Sequence, residues 1–176
     1  IIEHKLSNEL KKLGYSGLCD MAKWMGQPFD PQYEERSIKY LYFEREAMDK
    51  ILKDIECHNY HNKNIVIDTT GSVIYTGDDI LQKLLKLTQV VYLETPASIQ
   101  QEMYKLYLKD PKPVIWGKSF YKIKEESNIE SLSRCYPKLL AFRSKKYKKI
   151  ANIICNHHFL RDQDFSISKF MEVIKQ

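Results

Sequence analysis

The stretch Asn64-Ile65-Val66-Ile67-Asp68-Thr69-Thr70-Gly71 runs apolar, stops on a carboxylate, and continues into two threonines and a glycine. A charge at the end of a buried strand is costly unless it is paired or put to use. One use is to aim Asp68 at a phosphate-bound Mg²⁺, with the small turn Thr69-Thr70-Gly71-Ser72 letting a ligand approach the backbone. The other reading is an Asx-turn in which Asp68 caps its own loop.

Three further groups have chemistry-bearing types in telling places. Asp20 closes the short apolar run Ser16-Gly17-Leu18-Cys19, read as a strand, and open α/β sheets bind ligands at strand ends. There it would serve as a carboxylate base, or else cap the helix that follows. Arg143 shares a helical face with Leu139, Leu140 and Tyr147, which suits a substrate carboxylate or phosphate, or a buried structural ion pair. Lys112 and Lys118 lie in an aperiodic loop that also bears Trp116, Phe120 and Tyr121. That composition fits a lid over phosphates, or a long surface loop with some aromatic packing.

Other combinations carry less. Cys57-His58-x-x-His61 and Cys155-x-His157-His158 contain metal-ligand types, but neither has the paired short spacing of a structural zinc site. No Ser or Cys sits in a nucleophile elbow. Gly117-Lys118-Ser119 matches only the second half of a phosphate loop, and Lys112 stands where its first glycine is required. The six basic residues between Lys138 and Lys149 read as a solvated helix face ahead of a nucleic-acid surface.

The elements that must position these residues alternate in type. Leu6, Leu10 and Leu13 mark a first helix stopped by Gly14. Asp30-Pro31 opens a long helix to about Ile55, with Ile38, Leu41, Met48, Ile51 and Leu52 facing inward. The run from Asn64 to Asp68 reads as a buried strand by its β-branched content. Thr76 caps a helix over residues 78–87, the stretch 88–95 reads as a strand, and Thr95-Pro96 opens the next helix, to about Leu108. Residues 110–126 lack a period. Helix resumes from about Glu130 to Lys149, residues 152–155 form a last strand, and Ser166 or Ser168 starts a closing helix. Strands separated by helices imply crossovers and a parallel sheet.

Composition bounds the class. The chain has 176 residues, 43% hydrophobic and 29% charged, with a net charge of +5. That is one domain able to bury a real core. No run reaches the ~18 apolar residues of a membrane span. Four widely spaced cysteines (Cys19, Cys57, Cys135, Cys155) fit reduced thiols and a cytoplasmic setting.

From Gly14 to the C-terminus, the order of these signals resembles the shikimate kinase family of P-loop kinases. The shared features are Asp20 after an apolar run and the helical Tyr42-Phe43-Glu44-Arg45-Glu46. They continue with the strand ending in a small-residue loop at Asp68, Val90-Val91-Tyr92-Leu93-Glu94, and Lys112-Pro113. The run Tyr136, Arg143, Tyr147, Ala151 completes the pattern and, with the Val90–Glu94 strand, is its most specific part. The resemblance implies a three-layer α/β domain over residues 1–176 with a parallel sheet, and a lid at about residues 110–125. It implies phosphoryl transfer from ATP, with Mg²⁺, to a hydroxyl of a small anionic metabolite such as shikimate. Asp20, Asp68 and Lys112 would be catalytic, with Asp68 meeting Mg²⁺ through the phosphates. Thr69, Thr70, Gly71 and Arg143, with Asp20, would hold the acceptor, and Lys112 and Lys118 the nucleotide.

The chain also departs from that pattern. Glu44 replaces the arginine of a Phe-Arg pair, Thr69 and Thr70 replace two glycines, and Lys112 replaces a lid arginine without its bidentate fork. No complete phosphate loop occurs within the sequence. The loop and its strand are therefore expected upstream of Ile1, filling a gap between the Asn64–Asp68 and Val90–Glu94 strands. The alternative is a kinase-like domain that has lost catalysis and acts as a ligand-binding or regulatory module.

Overall fold

Helical periodicity, not strand alternation, organises the chain. The computed structural model describes residues 1–60 and 63–175, without the side chains of Leu18 and Cys19. Helix α1 (Ile2–Lys12) buries Leu6 and Leu10, four residues apart, and stops where Gly14 takes φ +73°. The Tyr15 N–H then reaches back to the Leu10 carbonyl at 2.8 Å, so an otherwise orphaned helix-end acceptor is satisfied. Helix α2 (Gly17–Met25) includes the run expected to be a strand ending at Asp20. Met21, Trp24 and Met25 are buried at helical spacing. A four-residue apolar stretch cannot be told from the first turn of such a helix by pattern alone.

Helix α3 (Tyr33–Glu56) begins two residues after the Asp30-Pro31 signal. It buries Tyr40, Glu44, Ala47, Met48 and Leu52, while Ile38, expected inward, is 63% exposed. Helix α4 (Asp78–Leu87) starts after Gly77 rather than Thr76, whose buried hydroxyl donates to the Val73 carbonyl at 2.7 Å. Strand β1 (Val91–Leu93), helix α5 (Gln100–Lys109), helix α6 (Asn128–Ile150) and strand β2 (Ile153–Cys155) follow. A Ser127–Glu130 capping box opens α6, satisfying two end N–H groups reciprocally. Two short helices, α7 (His157–Leu160) and α8 (Ile167–Ile174), close the chain.

The expected three-layer α/β kinase-like fold is not what forms. Of the described residues, 62% are helical and 4% strand. Among the described residues the sheet is one parallel pair, β1 and β2, in register Val91↔Ile153 through Leu93↔Cys155. That pair has the expected parallel sense and an α5–α6 crossover. The Asn64–Asp68 strand is absent: residues 63–70 carry no regular structure, and Val66 is 92% exposed. β-Branched content favours a strand only where a neighbour supplies the ladder, and among the described residues none does.

The core is accordingly helix on helix. Its larger part joins α1, α2, α3, α5 and α6 around the fully buried Trp24 and Trp116. A smaller part packs α3 and α4 over Val73 and Ile74, and Tyr75 touches both. The expected lid is tied down at its middle. Ile115 and Trp116 lie in the larger core, and Trp116 meets Tyr107, Phe120 and Tyr136 edge-on. Only its flanks, such as Lys112 and Lys118, remain exposed. Among the described residues no helix is long and apolar enough to cross a membrane.

Candidate functional site

Helix α6 presents Tyr136, Leu139, Arg143 and Tyr147 at spacings of three and four, so these side chains share one face. The first two are buried in the core. The stripe therefore carries Arg143 inward, to the edge where the 70–75 segment crosses α6. Its Nη2 donates to the Ile115 carbonyl at 2.8 Å, and its guanidinium carbon lies 6.0 Å from the Tyr75 ring. Its Nε is buried with no partner. Among the described residues no carboxylate lies within ion-pair reach of Arg143. A half-buried guanidinium held by one carbonyl, with no counter-charge in contact, has unused capacity for an anion.

The residues around it are polar and crowded. The Tyr147 hydroxyl donates to the Gly71 carbonyl at 2.5 Å. Gly71 has no side chain to spare room for: a Cβ there would meet Arg143 Nη1 and the Tyr147 hydroxyl. The Thr70 hydroxyl donates to Glu44 Oε1 and lies 2.8 Å from the Ser72 hydroxyl. Glu44 is 3% exposed, and its Oε2 has no partner. Burial pushes its carboxyl above the usual range, against the opposing pull of Thr70, Ser72 and Arg143. Burial likewise raises the Tyr40 and Tyr147 hydroxyls. Burial that disfavours the charged form of Glu44 weakens it as a counter-charge for Arg143.

Arg143 and Tyr147 also line an open cleft of about 640 Å³ at the C-terminal end of β1. Its walls mix Tyr92, Pro96 and Met103 with the Lys148–Glu94 ion pair at 2.5 Å. Tyr92 packs on Tyr147 with ring centres 5.2 Å apart. The cleft has the size of a small-molecule site and the usual mixture of apolar wall and few polar groups.

Of the residues singled out in the sequence, the fold brings Thr70, Gly71 and Arg143 together. Asp20 lies on α2, where it accepts from the Ser16 N–H and from Lys23, each at 2.8 Å. Those bonds, Lys23 first, hold its carboxyl below its ordinary value, and a satisfied, depressed carboxylate is a weak base. Asp68 is exposed on the unpaired segment, and Thr69 is half-buried beside it. Lys112 pairs with Asp110 at 2.7 Å. Lys118 sits in a single 3-10 turn, Gly117–Ser119, whose glycine backs onto the Tyr75 ring. The basic stretch of α6 is divided among tasks: Lys138 bonds the Tyr121 hydroxyl, Lys146 lies over Phe142, and Lys148 pairs with Glu94.

The sequence missed Glu44 as a site residue, although a signal was there. It stands in the buried stripe Tyr40, Glu44, Ala47, Met48, and a carboxylate on such a stripe asks for a partner. Among the described residues no group of three or more His, Cys, Asp or Glu is placed to hold a metal ion. His61 of the Cys57-His58-x-x-His61 combination lies outside the described residues. Among the described residues the donors do not fit a magnesium–triphosphate: Asp68 stands on an open segment, and no glycine-rich turn there leads a lysine into a helix N-terminus.

No protein-family model matches the chain, and neither a curated protein nor a solved structure matches it.

Proposed function

We propose that this chain binds a small anionic metabolite, a carboxylate or phosphate ester, in the cleft beside β1, with Arg143 as its anion-binding group. The observation that carries this reading is Arg143, which borders the cleft and, among the described residues, has no carboxylate within ion-pair reach. Tyr92 and Met103 supply apolar contact for the ligand's carbon frame, and Tyr147 orders the Gly71 backbone behind the guanidinium.

A second reading, phosphoryl transfer from ATP to a hydroxyl of that metabolite, is supported by the shikimate kinase resemblance. It is also favoured by the gathering of Thr70, Gly71 and Arg143, three residues that the resemblance assigns to the acceptor. Under that reading the chain supplies acceptor binding.

The test is a titration of the chain with shikimate, other hydroxy acids and sugar phosphates, followed by amide NMR and calorimetry, in parent and Arg143→Gln. Binding by the parent that falls at least about tenfold in the variant supports the site, since a hydrogen bond to a charged group is worth that much. Equal binding by both, or none by either, overturns it. A coupled ADP-release assay over the same compounds decides the second reading separately.

A further inference from the structure

The segment from Lys63 to Thr70 runs without turn or bend. Among the described residues, no main-chain group from Ile65 to Thr69 takes part in a backbone hydrogen bond. Ile65 is 40% exposed and Val66 92%, while Ile67 is half-buried. A β-branched stretch without regular structure, its N–H and C=O groups open, can become an edge to which another chain adds a strand.

We infer that this segment is a homodimer edge, pairing antiparallel with the same segment of a second copy of this chain. The choice of occupant comes from the order of side chains. Side-by-side antiparallel strands related by a two-fold axis keep like faces together, so only residues an even number apart, or a residue and itself, can stand opposite. Centring the axis on Val66 sets Val66 against Val66, Ile65 against Ile67, and Asn64 against Asp68. Every pair then matches: apolar meets apolar, and the Asn64 amide can donate to the Asp68 carboxylate at both ends. Centring it on Ile65 instead sets Val66 against Asn64 and Ile67 against Lys63, which leaves an apolar group facing a polar one twice. The segment is complementary to itself in one register.

The same pairing supplies the ladder that residues 63–70 lack among the described residues. Once paired, Asn64, Val66 and Asp68 share one face, and the Asp68 charges lie at opposite ends of the pair. The contact is short, so the dimer belongs with small, concentration-dependent interfaces rather than obligate ones.

Sedimentation velocity on the chain over a wide concentration range tests this, with circular dichroism to confirm folding. The parent is expected to show a reversible monomer–dimer equilibrium. Val66→Lys places two ammonium groups face to face and is expected to leave a folded monomer throughout. Asn64→Asp sets two carboxylates opposite each other at both ends and should raise the dissociation constant by about tenfold or more. Asn64→Asp combined with Asp68→Asn restores a complementary pair and should return the dissociation constant to within a few-fold of the parent's. A parent that stays monomeric at every concentration, a Val66→Lys variant that dimerises normally, or a double variant no better than Asn64→Asp alone overturns the proposal.

Discussion

Gly71 and Arg143 are fitted to each other: a Cβ on residue 71 would lie 3.0 Å from Arg143 Nη1 and 3.1 Å from the Tyr147 hydroxyl. Gly71 is not among the glycines with positive φ, so its lack of a side chain serves close approach and not an unusual backbone. Gly71→Ala is expected to push the guanidinium aside, weakening anion binding several-fold with a small change in Tm. Gly71→Val should abolish measurable binding while the chain stays folded. Calorimetry on both variants checks this, and unchanged affinity in Gly71→Val would contradict the packing.

Glu44 gives a pH signature of definite sign. Its folded carboxyl is raised by burial, so between the ordinary value of about 4.3 and that raised value the folded chain keeps a proton the unfolded chain has lost. Its contribution to stability is fully present below the ordinary value and is lost as pH rises through the folded one. Glu44→Gln keeps the shape and cannot ionise. Thermal unfolding should show a higher Tm for Glu44→Gln than for the parent at about pH 8, and a smaller difference at about pH 4. A variant less stable than the parent at the higher pH would show that the charged form is the favoured one.

What the sequence made legible follows from what has a period. Leu6 and Leu10, the Gly14 stop, the inward Arg143 and the parallel sense of β1 and β2 were all readable, because spacing or a local conformational need declares them. Leu18 and its neighbours were misread, because four apolar residues suit a strand or a helix turn, and the helical positions of Trp24 and Met25 decide the matter. Val66 was misread for a different reason: strand character in the chain is not a strand until another segment pairs with it. Ile115 and Trp116 sit in an aperiodic stretch, so nothing in their spacing announces that they are core. Glu44 was hidden by its type, since buried carboxylates are rare.

Glu126 has the opposite pH signature. The Arg134 fork, with Nε on Oε1 at 2.6 Å and Nη2 on Oε2 at 2.7 Å, holds its carboxyl down to about 2, helped by the Ser131 hydroxyl. A depressed carboxyl contributes stability above its unfolded value, and that contribution is lost as pH falls toward the folded one. The parent should therefore lose stability between about pH 4.5 and about pH 2, and Glu126→Gln should flatten that limb. The group is near solvent, so molar salt should reduce the effect. Equal acid limbs in parent and variant would remove Glu126 as the cause.

The Tyr33 hydroxyl ties the middle of residues 110–125 to α3. It donates to the Val114 carbonyl at 2.9 Å and accepts from the Trp116 N–H at 2.8 Å, closing a two-sided clasp on the middle of the loop. Burial also raises this hydroxyl's ionisation well above its ordinary range, so it stays a donor at any working pH. Tyr33→Phe preserves the ring and leaves the Trp116 N–H buried without a partner. Such a group costs about 1–3 kcal/mol, a Tm loss of several degrees for a chain of this size. Trp116→Ala removes a fully buried indole and should cost more, about 3–5 kcal/mol. The two variants differ in what they report. If the clasp anchors the loop, Tyr33→Phe should speed amide hydrogen exchange at residues 114–120 well before global unfolding, while α1 and α2 stay protected. Because Arg143 holds the Ile115 carbonyl from the other side, bound anion should slow that exchange again in the variant. Fast exchange at residues 114–120 already in the parent would mean that the loop opens despite the clasp, as a lid does.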